Sequence, residues 1–132
     1  MNDLTFHHIG IACESIDEEI ENYKELGYSL SADKFEDPNQ GIRGVFMKNA
    51  GMQIELLEPL KKDSPVCSFL KRGIQMYHQG FLCDNIHDTS SDLLEKGAYM
   101  ASPVKPAVAF KDRSVCFLLM PNKMLIELIG TE

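Results

Sequence analysis

The sequence predicts an α+β chain of two tandem β-α-β-β-β modules, on three observations. The stretch His-Ile-Gly-Ile-Ala-Cys at 8–13 returns as His-Gln-Gly-Phe-Leu-Cys at 78–83, an offset of 70 positions from His8 to His78. Landmarks in between keep that offset, Gly27 mapping onto Gly97 and Arg43 onto Arg113. Each half then closes on an apolar strand with one embedded acid, Glu55 in Ile54–Leu57 and Glu127 in Ile126–Ile129, 72 positions apart, so the second copy carries two extra residues in a late loop.

The first module opens with a strand from Thr5 to Cys13. Ser15 and Glu18 form an S-x-x-E capping box, which marks a helix start. Ile16, Ile20, Tyr23 and Leu26 follow at helical spacing, and Gly27 supplies the stop. Tyr28 to Lys34 reads as an edge strand, and Pro38, Asn39 and Gly41 mark a loop over 36–41. Ile42–Lys48 and Met52–Leu57 read as a hairpin around Asn49-Ala50-Gly51. Ser64-Pro65 starts a short linker helix, with Pro at the first helical position. The second module repeats the order: a strand Tyr77–Cys83, a helix Ile86–Lys96 ended by Gly97, a short strand near Tyr99, a loop from Pro103 to Pro106, and a hairpin of 113–119 with 123–129. The domain organisation is thus one domain, with module one at 1–60, the linker helix at 61–74 and module two at 75–132.

Composition bounds the function. The 132 residues match one compact domain, and 44% apolar with 25% charged residues is ordinary for a globular chain. A net charge of −7 argues against nucleic acid or an anionic membrane surface as partner. No apolar run approaches the roughly 18–20 residues needed to cross a bilayer, and the N-terminus lacks a secretory signal. The four cysteines (13, 67, 83, 116) form no C-x-x-C pair and read as reduced thiols of a cytoplasmic protein.

Strand side chains alternate faces. His8 therefore shares a face with Gly10 and Ala12, and His78 with Gly80 and Leu82, while Ile9, Ile11 and Cys13 point toward the helix. Glu55 and Glu127 point away from their apolar neighbours. A lone carboxylate in so apolar a strand is costly to bury unless paired or bound to a cation. One divalent metal shared by His8, Glu55, His78 and Glu127 solves the problem for both halves, whereas His7 and His87 read as ordinary histidines. Two imidazoles and two carboxylates do not separate Co, Ni, Mn, Zn, Fe and Mg. Positions left for water or substrate make such a site catalytic in type, able to stabilise an enolate formed next to a carbonyl. Val45, Phe46, Met47, Phe110 and Leu118 are expected cavity walls, and Arg113 an expected contact for a carboxylate or phosphate.

These segments resemble the vicinal oxygen chelate superfamily, which includes glyoxalase I, bleomycin-resistance proteins, ring-cleaving dioxygenases and methylmalonyl-CoA epimerase. The resemblance is carried by His-His-Ile-Gly-Ile-Ala (7–12), Ile-Glu-Leu-Leu-Glu-Pro-Leu (54–60), Asp-Ser-Pro-Val (63–66), Tyr-His-Gln-Gly-Phe (77–81) and Leu-Ile-Glu-Leu (125–128), and is strongest toward the epimerase branch. It implies a glyoxalase-like fold, with paired βαβββ modules forming a cupped, mostly antiparallel sheet around a metal, and often a homodimer. It places His8, Glu55, His78 and Glu127 on the family's metal-ligand positions, with Glu127 also the candidate for proton transfer. The implied activity is a metal-dependent isomerase or lyase, epimerase-like or lactoylglutathione-lyase-like, acting on a small molecule such as an acyl thioester. Phe46, Phe110 and Arg113 are the expected substrate contacts. The alternative reading is a ligand-sequestering protein of the antibiotic-resistance type, and a third is an iron dioxygenase using His8, His78 and Glu127. The chain departs from the family pattern at Gly44, where some epimerases carry a second acidic base, at Gln79, over 106–113, and at Met120-Pro-Asn-Lys.

Overall fold

The computed structural model describes residues 3–131. They fall into two compact units, one spanning 8–77 and the other 78–131 together with 3–7. Both follow one scheme, and the predicted α+β class holds.

The first unit contains most of β1 (Thr5–Ala12), then α1 (Ile16–Glu25), β2 (Ser29–Leu30), β3 (Phe35–Asp37), β4 (Ile42–Asn49), β5 (Met52–Pro59) and α2 (Pro65–Lys71). β1 runs parallel to β5, β5 antiparallel to β4, and β4 carries β2 at one end and β3 at the other. Ser15 caps α1 by accepting from the Glu18 N–H, and Gly27 at φ +89° ends it. Ile16 and Ile20 of α1 pack on Ile11, Val45, Met47, Ile54 and Leu56. That layer uses one face of the strands, so His8, Gly10, Phe46 and Glu55 stand on the other.

The second unit contains most of β6 (Met76–Cys83), then α3 (Ile86–Glu95), β7 (Tyr99–Ala107), a 3₁₀ turn (Val108–Phe110), β8 (Arg113–Leu119) and β9 (Leu125–Gly130). β6 runs parallel to β9, β9 antiparallel to β8, and β8 antiparallel to β7. Asn85 caps α3 by accepting from the Asp88 N–H, and Gly97 at φ +102° follows its end. Ile86 and Leu93 pack on Cys83, Cys116, Leu118, Ile126 and Leu128.

Three elements differ from expectation. The edge strand expected over 28–34 shrinks to β2 (Ser29–Leu30), and β3 (Phe35–Asp37) takes up the start of the loop expected over 36–41; both are held by β4. The loop expected at Pro103–Pro106 is part of β7, which pairs only with β8 in its unit and shifts register between Met100 and Ser102 and again between Ser102 and Lys105. Proline lacks a ladder donor but is tolerated where no neighbour requires one, and the bulges absorb the misfit. The linker helix α2 packs into the first unit, burying Val66 against Ala12, Ile42 and Leu57.

Candidate metal centre

His8 and Glu55 meet because β1 and β5 are parallel neighbours in a register that sets Gly10 beside Glu55. Gly10 brings no side chain to the shared face, and the carboxylate turns toward the imidazole two residues back. His8 Nε2 lies 3.1 Å from Glu55 Oε1, and both side chains are buried. Phe46 stands directly across from Glu55 on β4, with its ring edge-on to His8 at 5.7 Å between centroids.

The second unit builds the same arrangement independently. Gly80 lies beside Glu127, and His78 Nε2 is 3.4 Å from Glu127 Oε1, again buried. Phe117 stands across from Glu127 on β8 and meets His78 edge-on at 5.2 Å. The repeated unit is therefore a His–Glu–Phe triad. Phe117 is absent from the sequence-based expectations, although the offset from Phe46, 71 positions, sits between the 70 of the histidines and the 72 of the glutamates.

The spacing within each pair suits two ligands of one cation. With metal–nitrogen and metal–oxygen bonds of about 2.1 Å, two donors stand about 3.0 Å apart at a right angle and about 3.4 Å apart at the tetrahedral angle. Both observed separations, 3.1 and 3.4 Å, fall in that range. A cation beside each buried carboxylate would also lower the cost of burying it. Each pair, His8 with Glu55 and His78 with Glu127, thus offers a nitrogen and an oxygen donor suited to a metal ion.

The other expected site residues have different surroundings. Val45, Met47 and Leu118 are not cavity walls: alternation turns them to the helix side, where they pack beneath α1 or α3. Phe110 is buried on the 3₁₀ turn, against His7 at 5.5 Å. Arg113 donates from Nε to the Gly130 carbonyl at 2.6 Å, tying β8 to the end of β9. Gln79 lies off the His78 face and donates to Met124 Sδ. At Gly44 a Cβ would meet Phe35 Cζ at 2.5 Å and Leu57 Cδ2 at 3.1 Å. An aromatic ring fills that space, stacked with Phe46 at 6.1 Å. Among the described residues all four cysteines are free. Burial, with Glu19 and Glu58 nearby, pushes the Cys13 thiol up to about 12, and burial does the same to Cys116. Neither is a nucleophile at neutral pH.

The fold and the two matched pairs define a class, and comparison with known proteins agrees. The model of the glyoxalase/bleomycin resistance protein/dioxygenase superfamily matches residues 7–117, and the chain belongs to that superfamily. It is 30% identical over 129 residues to the mitochondrial methylmalonyl-CoA epimerase of Dictyostelium discoideum, covering 92% of this chain and 75% of that protein. It spans about half the length of the bovine and human epimerases that it also matches, 53% and 52%. The methylmalonyl-CoA epimerase structure from Mycobacterium tuberculosis superposes with a TM-score of 0.81 at 27% identity, over 96% of this chain and 87% of that one. An epimerase structure in complex with methylmalonyl-CoA and NH4+ superposes at 0.77 with 26% identity, over 95% and 92%.

Proposed function

We propose that this chain is a metal-dependent isomerase of a small acyl-CoA thioester, with epimerase-like chemistry ahead of lyase chemistry of the glyoxalase type. The observation that carries the reading is the duplicated, buried His–Glu pair, at 3.1 Å in one unit and 3.4 Å in the other. In this reading His8, Glu55, His78 and Glu127 jointly hold one divalent ion. Such an ion, when bound, supplies Lewis acidity to a thioester carbonyl and acidifies the adjacent C–H.

The protein's own groups supply the rest. Glu127 turns Oε1 toward His78, and its second oxygen is the proton acceptor in this reading. Phe46 and Phe117 cover the imidazoles and keep water from them. Phe46, Phe110 and Arg113 are the proposed substrate contacts, and Arg113 keeps two terminal amino groups for an anion beyond its bond to Gly130. The four free thiols fit a reducing compartment, which we take to be the cytoplasm. Among the described residues no helix is long and apolar enough to cross a membrane. The family resemblance also implies a homodimer, which sedimentation would test.

The deciding experiment loads the purified chain with Co, Ni, Mn or Zn and follows deuterium uptake at C2 of methylmalonyl-CoA in D₂O. Metal-dependent exchange is expected. Tight binding of the thioester with no exchange under any metal would instead favour a sequestering protein and sink the isomerase reading.

A further inference from the structure

We infer that residues 61–72 bind the phosphate groups of coenzyme A at the rim of the face carrying His8 and Glu55. This rests on the acyl-CoA reading above. The chain carries net charge −7, yet four of its 13 basic residues, Lys61, Lys62, Lys71 and Arg72, fall in this short segment beside one acid, Asp63. All four are exposed. Elsewhere in the same unit Lys24 is paired with Glu21, Lys34 with Asp17, and Arg43 with Glu36 and Glu58, while among the described residues Lys48 stands alone on β4. Among the described residues Lys61, Lys62 and Lys71 enter no ion pair. Their charge is not neutralised within the unit and stays available to an anion.

Their position follows from the packing of α2. Val66, Phe69 and Leu70 pack with Ala12, Ile42 and Leu57. By strand alternation Ala12 shares the face of His8, and Leu57 that of Glu55. Leu57 is two residues past Glu55, about 7 Å along the strand. The helix therefore closes the far end of the His8–Glu55 face. Its seven residues span about 10 Å, with Lys61 and Lys62 leading into one end and Lys71 and Arg72 at the other. Arg72 is also held in orientation: its guanidinium carbon lies 5.0 Å over the Phe69 ring, and Phe69 packs on Tyr77 at 4.7 Å. A guanidinium fixed through its face keeps its N–H edge for a phosphate.

The ligand chemistry matches this layout. A thioester whose acyl end sits at Glu55 must run its pantetheine arm outward along the face. That arm ends in a diphosphate and a 3′-phosphate, a compact polyanion that cations at the rim would hold.

The test uses the full, metal-loaded chain and isothermal titration with coenzyme A, dephospho-coenzyme A and pantetheine. The variants are Lys61→Gln/Lys62→Gln and Lys71→Gln/Arg72→Gln, with Lys24→Gln/Lys96→Gln as the control and circular dichroism to confirm folding. Each rim variant should bind coenzyme A at least about tenfold more weakly, since each loses charge-assisted hydrogen bonds. Pantetheine binding should not change, and the salt dependence of coenzyme A binding should flatten. Equal affinity of parent and rim variants for coenzyme A would overturn the assignment while leaving the acyl-CoA reading intact. A parent that binds no coenzyme A would overturn both. Competition by inorganic phosphate or a random oligonucleotide as strong as that by coenzyme A would reduce the segment to a general anion patch and overturn the assignment too.

Discussion

Phe46 stands directly opposite Glu55 in the β4–β5 ladder and sets its ring perpendicular to that of His8. One residue thus faces both members of the pair. Phe117 does the same for Glu127 and His78 in the other unit. An aromatic ring set at right angles beside an imidazole restricts its orientation without offering a competing donor. Each half sets its own His beside its own Glu.

Loss of one carboxylate should be decisive for metal. Outer-shell partners of metal ligands already cost about 10–100-fold in affinity, so Glu55→Gln and Glu127→Gln should each cost at least about 100-fold. Competition against a chromophoric chelator measures it. Parent-like affinity in both variants would eliminate the shared four-ligand site.

Gly44 and Phe35 interlock, and the space admits no Cβ without movement of the ring. Gly44→Ala should destabilise by about 1–3 kcal/mol, the usual cost of overpacking. Urea unfolding would show it, and Phe35→Leu in the same chain should recover part of the loss. An unchanged midpoint in Gly44→Ala would mean that the ring moves aside freely.

Stability should fall on the alkaline side. Cys13 and Cys116 are pushed from an ordinary value of 9.0 up to about 12 by burial first of all. The folded state then holds protons that the unfolded chain releases, so their contribution is complete below pH 9 and lost as the pH rises toward about 12. Melting temperatures across that range should decline, and less steeply in Cys13→Ala than in the parent. The half-buried Cys67 should be the first to react with a neutral alkylating reagent.

Arg113 holds the end of β9 through the Gly130 carbonyl. Arg113→Met removes a charge-assisted hydrogen bond and should cost about 1–3 kcal/mol in urea unfolding. A rise in KM for an acyl-CoA at unchanged kcat would mark the substrate role that its terminal amino groups offer.

Much of this was legible from residue spacing. Capping at Ser15 and Ser64, the stops at Gly27 and Gly97, and the β4–β5 hairpin follow from local chemistry and are found where expected. The edge strands were harder to read. β2, β3 and β7 take their conformation from pairing with β4 or β8, and the prolines of β7 give a loop signal that its ladder to β8 overrides. Val45, Met47 and Leu118 looked like cavity residues because the facing of β4 and β8 depends on register, and a shift of one residue exchanges the two faces.

By itself the sequence determined that one His and one Glu recur in each half, because a duplicated His and Glu on alternating strands is a local, periodic signal. Only the tertiary structure decided that parallel pairing of β1 with β5 and of β6 with β9 sets each His beside its Glu, and that Phe46 and Phe117 complete the triads. It alone decided that Phe35 fills the space at Gly44. The physical reason is that cross-strand register and ring packing are non-local: they depend on which residues distant in the chain come to lie 5–6 Å apart.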